Sequence, residues 1–168
     1  MDVSGRNYVQ SKMPSVGLGT YQIRNEQTIF SVIDAALECG YRFIDTAQIY
    51  GNEPAIGRAL KELLPKHELT REDIFITTKL SPANQGRLAA GKSIERSLNN
   101  LQVDYIDLLI IHWPGASKVQ VNDPDNKRLR KESYLVMEEY YIRMCLNIRP
   151  LYLSFTCSCF LKCNTPLI

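Results

Sequence analysis

The sequence predicts an α/β protein built on a parallel β-sheet, either an open doubly wound sheet or a closed (β/α) barrel. Short segments rich in β-branched residues alternate with helical segments in the order βαβαβαβα. The last strand segment has an unbroken apolar run, which is typical of a parallel strand buried on both faces. Titratable residues also stand at or just after strand ends, where a barrel assembles its active site.

The first βα unit and the second strand are marked by apolar periodicity and glycines. We expect a short strand at residues 16–21 that ends in a glycine-containing turn. Apolar residues recur at helical spacing over residues 26–39, and Gly40 should stop that helix. Residues 41–46 are then expected to form the second strand, which carries Asp45 near its end.

Prolines delimit the second helix, and composition marks the third βα unit. Pro54 suits a first helical turn, whereas Pro65 is expected to end the helix. Residues 74–79 are β-branched and aromatic, as strands prefer. An apolar stripe then predicts a third helix over residues 88–101.

The fourth unit completes the pattern without deciding how the sheet closes. Residues 107–113 are the fourth predicted strand, residues 115–127 a polar loop and residues 130–142 a fourth helix. An open sheet would favour a glycine-rich phosphate loop after the first strand. The segment 17–19 is too short for that fingerprint and no helix follows it directly. Periodicity alone leaves both architectures open.

Composition excludes several classes of function. The chain has 168 residues, enough for one domain with a core, and its net charge of +2 gives no argument for nucleic acid or an anionic membrane as partner. Residues 1–5 do not resemble a signal peptide, and no apolar run reaches the ~20 residues of a membrane helix. Five cysteines, an odd number, favour free thiols in a reducing compartment, so we expect a cytoplasmic protein.

Four residues form the candidate catalytic set: Asp45, Tyr50, Lys79 and His112. A phenol can donate a proton, an ammonium nearby favours the phenolate that remains, and a carboxylate keeps the ammonium charged and oriented. A neutral imidazole can donate a hydrogen bond to a carbonyl oxygen without adding a second charge. Each residue taken alone is more often structural, and only the combination indicates chemistry.

Three segments resemble the aldo-keto reductase family, in order and at the right spacing. Residues 40–57 strongly resemble the first signature of that family, with Phe43 as the clear departure. Residues 74–80 resemble its lysine strand, and residues 108–114 its strand ending in His-Trp-Pro. The similarity runs from about residue 16 to residue 139. It implies the first half of an eight-stranded (β/α)8 TIM barrel.

The resemblance implies a role for each candidate residue. Tyr50 would be the proton donor, Lys79 and Asp45 the pair that tunes it, and His112 with Trp113 the substrate-binding residues. The cofactor would be NADPH, which hands a hydride to an aldehyde or ketone. The residues implied at the cofactor are Gly19, Thr20, Tyr21 and Asp45.

The resemblance stops after Glu139, so we divide the chain into a partial reductase domain, residues 1–139, and a divergent cysteine-containing tail, residues 140–168. We expect no metal site in the tail, because its cysteines lack the paired spacing of zinc modules. Half a barrel would expose unpaired strand edges and an apolar inner face, which favours self-association. The alternative to an impaired NADPH-dependent reductase is therefore a catalytically silent truncated isoform that acts only by association with other chains.

Overall fold

The protein is described by a computed structural model over residues 9–146, as four βα units in sequence. The strands are β1 (Leu18–Gly19), β2 (Phe43–Asp45), β3 (Phe75–Leu80) and β4 (Leu108–Ile111). The helices are α1 (Glu26–Glu38), α2 (Glu53–Lys66), α3 (Arg87–Leu101) and α4 (Asp125–Leu146). Single 3-10 turns lie at Gln48–Tyr50, Arg71–Asp73 and Pro82–Asn84. The predicted order of strands and helices is thus confirmed.

All four strands form one parallel sheet in the order β1-β2-β3-β4. Each strand therefore lies beside its neighbour in the sequence. A doubly wound sheet reverses its strand order at a switch point, and this sheet does not. The helices pack against one another in the same succession, α1 on α2, α2 on α3 and α3 on α4. Sequential strands covered by sequential helices are the wall of a barrel.

Side chains alternate between the two faces of the sheet, as the pleat requires. Ile44, Ile76 and Leu109 point toward the helices and join the main hydrophobic core. On the opposite, inner face, Phe75, Leu108 and Ile110 form a second cluster. This alternation places Asp45 and Lys79 on the same inner face as Phe43 and Phe75.

The apolar inner face is not exposed, contrary to expectation. Phe75, Leu108 and Ile110 are 4%, 6% and 6% exposed, respectively. Val9, from a helical turn at residues 9–12, and Phe43 pack against them. The Phe43 and Phe75 rings meet edge to face, with their centroids 5.5 Å apart. These contacts contribute to the burial of the cluster.

Helix α4 begins five residues earlier than predicted. The predicted start was Arg130, whereas the helix begins at Asp125. A carboxylate oxygen of Asp123 accepts a hydrogen bond from the Asp125 N–H at 2.8 Å, and Pro124 lies between them. An acidic capping residue followed by proline is a helix-start signal. Here that signal sets the start of the helix within a segment whose polar composition predicts a loop. The helix continues to Leu146, so the proposed domain boundary after Glu139 lies inside it.

Helix α2 also differs at its end, because Pro65 lies inside the helix rather than ending it. A proline in the last turn removes only one helical donor, and the His67 N–H closes that turn onto the Leu63 carbonyl at 3.0 Å. Three strands are shorter than predicted, with two residues in β1, three in β2 and four in β4, whereas β3 has the predicted six residues and begins one residue later. Within the described residues, no helix is both long and apolar enough to cross a membrane.

Candidate active site

The parallel strands deliver the candidate residues to one edge of the sheet. Asp45 is the last residue of β2, Lys79 the penultimate residue of β3, and His112 directly follows β4. Tyr50 ends the 3-10 turn that follows β2. The carboxyl ends of parallel strands point the same way, so side chains far apart in sequence meet there. The structure brings all four together.

Lys79 stands at the centre of the group. Its Nζ donates to a carboxylate oxygen of Asp45 at 2.6 Å and to the Thr46 carbonyl oxygen at 2.9 Å. The Tyr50 hydroxyl oxygen lies 3.4 Å from the same Nζ. The lysine is buried, whereas the Asp45 side chain remains 35% exposed. A buried ammonium is tolerated because a carboxylate and two further oxygens surround it.

The Tyr50 ring lies between two other aromatic rings. The His112 ring meets it edge to face, with centroids 5.7 Å apart. The Tyr21 ring lies 5.1 Å away at an interplanar angle of 55°. Both contacts restrict where the phenol can point.

His112 is held neutral by its surroundings. Its pKa is lowered, first because burial disfavours the imidazolium and second because Lys79 repels it, while Asp45 acts in the opposite sense. Nδ1 is buried and finds no hydrogen-bond partner among the described residues.

The loop of residues 19–21 is fixed beside Asp45. Both the N–H and the hydroxyl of Thr20 donate to the Asp45 carbonyl oxygen at 3.0 Å. Asn52, which sequence reasoning missed, holds the loop from the other side through the Thr20 carbonyl at 2.9 Å. In the sequence Asn52 looks like a helix cap, but its side chain makes no capping bond to α2. It accepts instead from the Thr46 hydroxyl at 2.8 Å.

Trp113 lies at the rim of the site, where its residue surface is 51% exposed. The buried side chain of Gln85, also missed from the sequence, donates to the Trp113 carbonyl at 2.7 Å and to that of Gly115 at 3.1 Å. Tyr21 is likewise exposed, at 64%. The exposed Tyr21 ring, whose centroid lies 5.1 Å from that of Tyr50, offers a stacking surface for a planar ligand.

The loop beside Asp45 leaves space at Gly19. This glycine is exposed, it adds no side chain, and nothing would stand within 4 Å of a Cβ there. Among residues 9–146, no group of histidine, cysteine and acidic side chains could hold a metal ion. The tail segment Cys157–Cys163 lies outside the described residues.

Comparison with known proteins identifies the fold. The family model for the aldo/keto reductase family matches residues 15–144. An aldo-keto reductase from Mycobacterium avium (strain 104) is 48% identical over 106 residues, which cover 63% of this chain and 35% of that protein. An aldose reductase from Encephalitozoon cuniculi (strain GB-M1) is 48% identical over 103 residues, covering 61% and 34%. The chain thus spans about a third of the length of these curated relatives.

A solved structure agrees. The crystal structure of an aldo/keto reductase from Brucella melitensis matches with a TM-score of 0.68 at 35% identity, over 86% of this chain and 49% of that chain. The parallel sheet is therefore part of a (β/α) barrel, and the open-sheet alternative is excluded.

Proposed function

We propose, since the chain belongs to the aldo/keto reductase family, that its site reduces the carbonyl group of an aldehyde or ketone with NADPH, and that Tyr50 gives the proton. Members of this family are oxidoreductases. The observation that carries the proposal is the position of Lys79 Nζ, 2.6 Å from Asp45 and 3.4 Å from the Tyr50 hydroxyl. That arrangement suits a phenol that loses and regains a proton.

The reaction needs a proton at the carbonyl oxygen. A reduced nicotinamide, when bound, supplies the hydride, and negative charge then develops on that oxygen. The Tyr50 hydroxyl donates its proton there, and the ammonium of Lys79 stabilises the phenolate that remains. Asp45 keeps the ammonium charged and oriented.

His112 orients the substrate in this proposal. As a neutral imidazole with its proton on Nε2, it donates a hydrogen bond to the carbonyl oxygen beside Tyr50. The exposed ring of Trp113 forms the neighbouring part of the substrate site. Gly19, Thr20 and Tyr21, beside Asp45, form the contact surface for the nicotinamide.

Binding of the rest of the cofactor is the step that this chain supports least. The described residues supply four βα units, whereas barrel phosphate sites usually form on the loops after the seventh and eighth strands. We therefore propose an impaired reductase, in which the chemistry is present and cofactor affinity is low. The alternative is a silent form that acts by associating with other chains through the edges β1 and β4. Each of these edges has one strand partner in the described sheet.

Titration of the chain with NADPH, followed by cofactor fluorescence, distinguishes the impaired reductase from the silent form. Saturable binding supports the reductase, and no binding up to millimolar cofactor supports the silent form.

Replacing Tyr50 tests the proposed chemistry. A chimera can join residues 1–139 of this chain to the remainder of the Mycobacterium avium relative within α4, which completes the barrel. Tyr50→Phe in this chimera should lower kcat about 10²–10⁴-fold, as loss of a general acid typically does. NADPH affinity should change little, because only one hydroxyl is lost. NADPH oxidation with methylglyoxal or a nitrobenzaldehyde measures both.

Two outcomes would count against this assignment. Near-normal turnover of the Tyr50→Phe chimera would show that another group gives the proton. A folded chimera that binds NADPH but reduces no aldehyde would show that the four residues do not form a working site.

A further inference from the structure

Gln48 is the most heavily hydrogen-bonded side chain near the site, and the proposed chemistry does not use it. Its Oε1 accepts from the Ser81 N–H at 2.9 Å, from the Ser93 hydroxyl at 2.7 Å and from the Asn84 amide at 3.2 Å. Its Nε2 donates to the Ser97 hydroxyl at 2.9 Å and to the Ser93 carbonyl at 3.2 Å. Both ends of the amide are therefore occupied.

These partners come from the third βα unit, whereas Gln48 belongs to the second. Ser81 lies two residues after Lys79, and Asn84 ends the following 3-10 turn. Ser93 and Ser97 are fully buried on α3. Gln48 thus attaches its own 3-10 turn to the end of β3 and to α3.

That 3-10 turn is also the segment that carries Tyr50, two residues after Gln48. Its N-cap, Ala47, makes no side-chain capping bond, and the turn is closed by the Tyr50 N–H to Ala47 at 3.0 Å and the Gly51 N–H to Gln48 at 3.2 Å. The chain just before the turn is bonded to β3, since the Thr46 N–H donates to the Thr77 carbonyl oxygen at 2.9 Å. Within the turn, the Gln48 side chain makes five bonds to the third βα unit.

We propose that Gln48 is the positioning residue for Tyr50: its amide clamps the turn onto the β3 end and so sets the distance between the phenol and Lys79. The functional meaning of this clamp rests on the proposed role of Tyr50, whereas its geometry is independent of that role. A residue that places a reacting group matters because a displacement of ~1 Å can cost ~10²-fold in rate.

The position of Tyr50 can be measured by NMR, without an activity assay. The chain has two histidines, so its imidazole proton NMR signals are few. The His112 ring lies edge to face with Tyr50 at 5.7 Å and senses the ring current of the phenol. His67 lies elsewhere, 2.6 Å from Asp34, and serves as an internal reference. Tyr50→Ala in the full chain calibrates the complete loss of that ring current.

Two variants of Gln48 separate hydrogen bonding from volume. Gln48→Met keeps the length of the side chain and removes its hydrogen bonds, whereas Gln48→Ala removes both. We expect both to move the His112 signal toward its position in Tyr50→Ala, with the His67 signal unchanged. Ser133→Ala is the matched control, because it removes a buried hydroxyl bonded to the Gly86 N–H at 2.8 Å, away from Tyr50. It should leave His112 unmoved.

The results that overturn the proposal are distinct. An unmoved His112 signal in Gln48→Met would do so, even if Gln48→Ala moved it, because volume alone would then explain the effect. An equal shift in Ser133→Ala would reveal general loosening instead of a clamp. If Gln48→Ala does not fold, Gln48→Met alone decides.

The completed chimera adds a kinetic readout. There, Gln48→Met should lower kcat about 10–100-fold, with a much smaller change in KM, because Tyr50 acts in the transition state. An inactive parent chimera would count against the proposed function and leave the NMR result standing. A shifted His112 signal with unchanged kcat would refute the functional part of the proposal.

Discussion

At the scale of single residues, the site depends on one buried positive charge. Lys79 is 7% exposed and has a carboxylate, a carbonyl and a phenol oxygen within hydrogen-bond reach. The charge acts on His112 as well, because repulsion by Lys79 adds to burial in lowering the imidazole pKa. One side chain thus lies beside the phenol and, after burial, contributes to the lowered pKa of the imidazole.

The titration of His112 follows from this arrangement. We expect its pKa to lie below the ordinary value of ~6.5. Lys79→Met should raise that pKa because the repulsion is gone, and Asp45→Asn should lower it further. NMR titration of the imidazole protons measures all three. A midpoint at or above ~6.5 in the unmodified chain would contradict the assigned environment.

The same shift has a consequence for stability. Because the folded state disfavours the imidazolium, the unfolded chain binds a proton more readily below the unfolded pKa of ~6.5. The free energy of unfolding should therefore decrease as pH falls through the window between ~6.5 and the lowered pKa of His112. His112→Gln should lack this contribution in denaturant titrations across that window.

At the scale of secondary structure elements, close helix packing holds the strand ends in place. Gly57 on α2 lies so near the end of α3 that an added Cβ would stand 2.4 Å from the Asn100 carbonyl oxygen. Helix α4 in turn caps α3, since Ser133 accepts from the Gly86 N–H at 2.8 Å. The helices of successive βα units are therefore in close contact.

Two glycine substitutions test this packing against helix propensity. Gly57→Ala should lower the free energy of unfolding by about 1–3 kcal/mol, the usual cost of overpacking, because backbone atoms cannot move aside. Gly91→Ala, in the middle of α3, is the matched control. Its Cβ would meet Val136 at an ordinary 3.7 Å, so the variant should gain about 0.5–1 kcal/mol from helix propensity. Urea unfolding measures both, and equal effects would contradict the packing argument.

At the scale of the whole molecule, the described sheet brings the four candidate residues together from three successive units, the second to the fourth, without a closed ring of strands. Its inner apolar cluster is nevertheless buried. The parts of the site that depend on neighbouring strands are therefore in place, whereas cofactor binding in barrels depends on loops from later units.

We accordingly expect the 168-residue chain to oxidise NADPH in the presence of an aldehyde slowly or not at all. Proximity supplies much of the advantage of hydride transfer, and it requires a firmly held cofactor. The chimera with the completed barrel is the positive control in the same assay. Turnover by the chain alone that disappears in Tyr50→Phe would refute this expectation and show that the site is completed in another way.

The sequence by itself determined the order of elements and the grouping of four titratable residues at the strand ends. Apolar periodicity predicts the order of elements, because helices and strands repeat apolar residues at different spacings. The second follows from residue type at the ends of predicted strands, supported by the family resemblance of residues 40–57, 74–80 and 108–114. Element ends were less accurate, as the capped start of α4 and the tolerated Pro65 show.

Only the tertiary structure decided which polar residues support the site. Gln48, Asn52 and Gln85 look like ordinary turn or cap residues, because their partners lie on loops distant in sequence. The lowered pKa of His112 and the burial of the inner cluster were likewise invisible to local patterns. Periodicity and propensity act between near neighbours, whereas hydrogen bonding and desolvation at the site arise between segments that meet only after the sheet has formed.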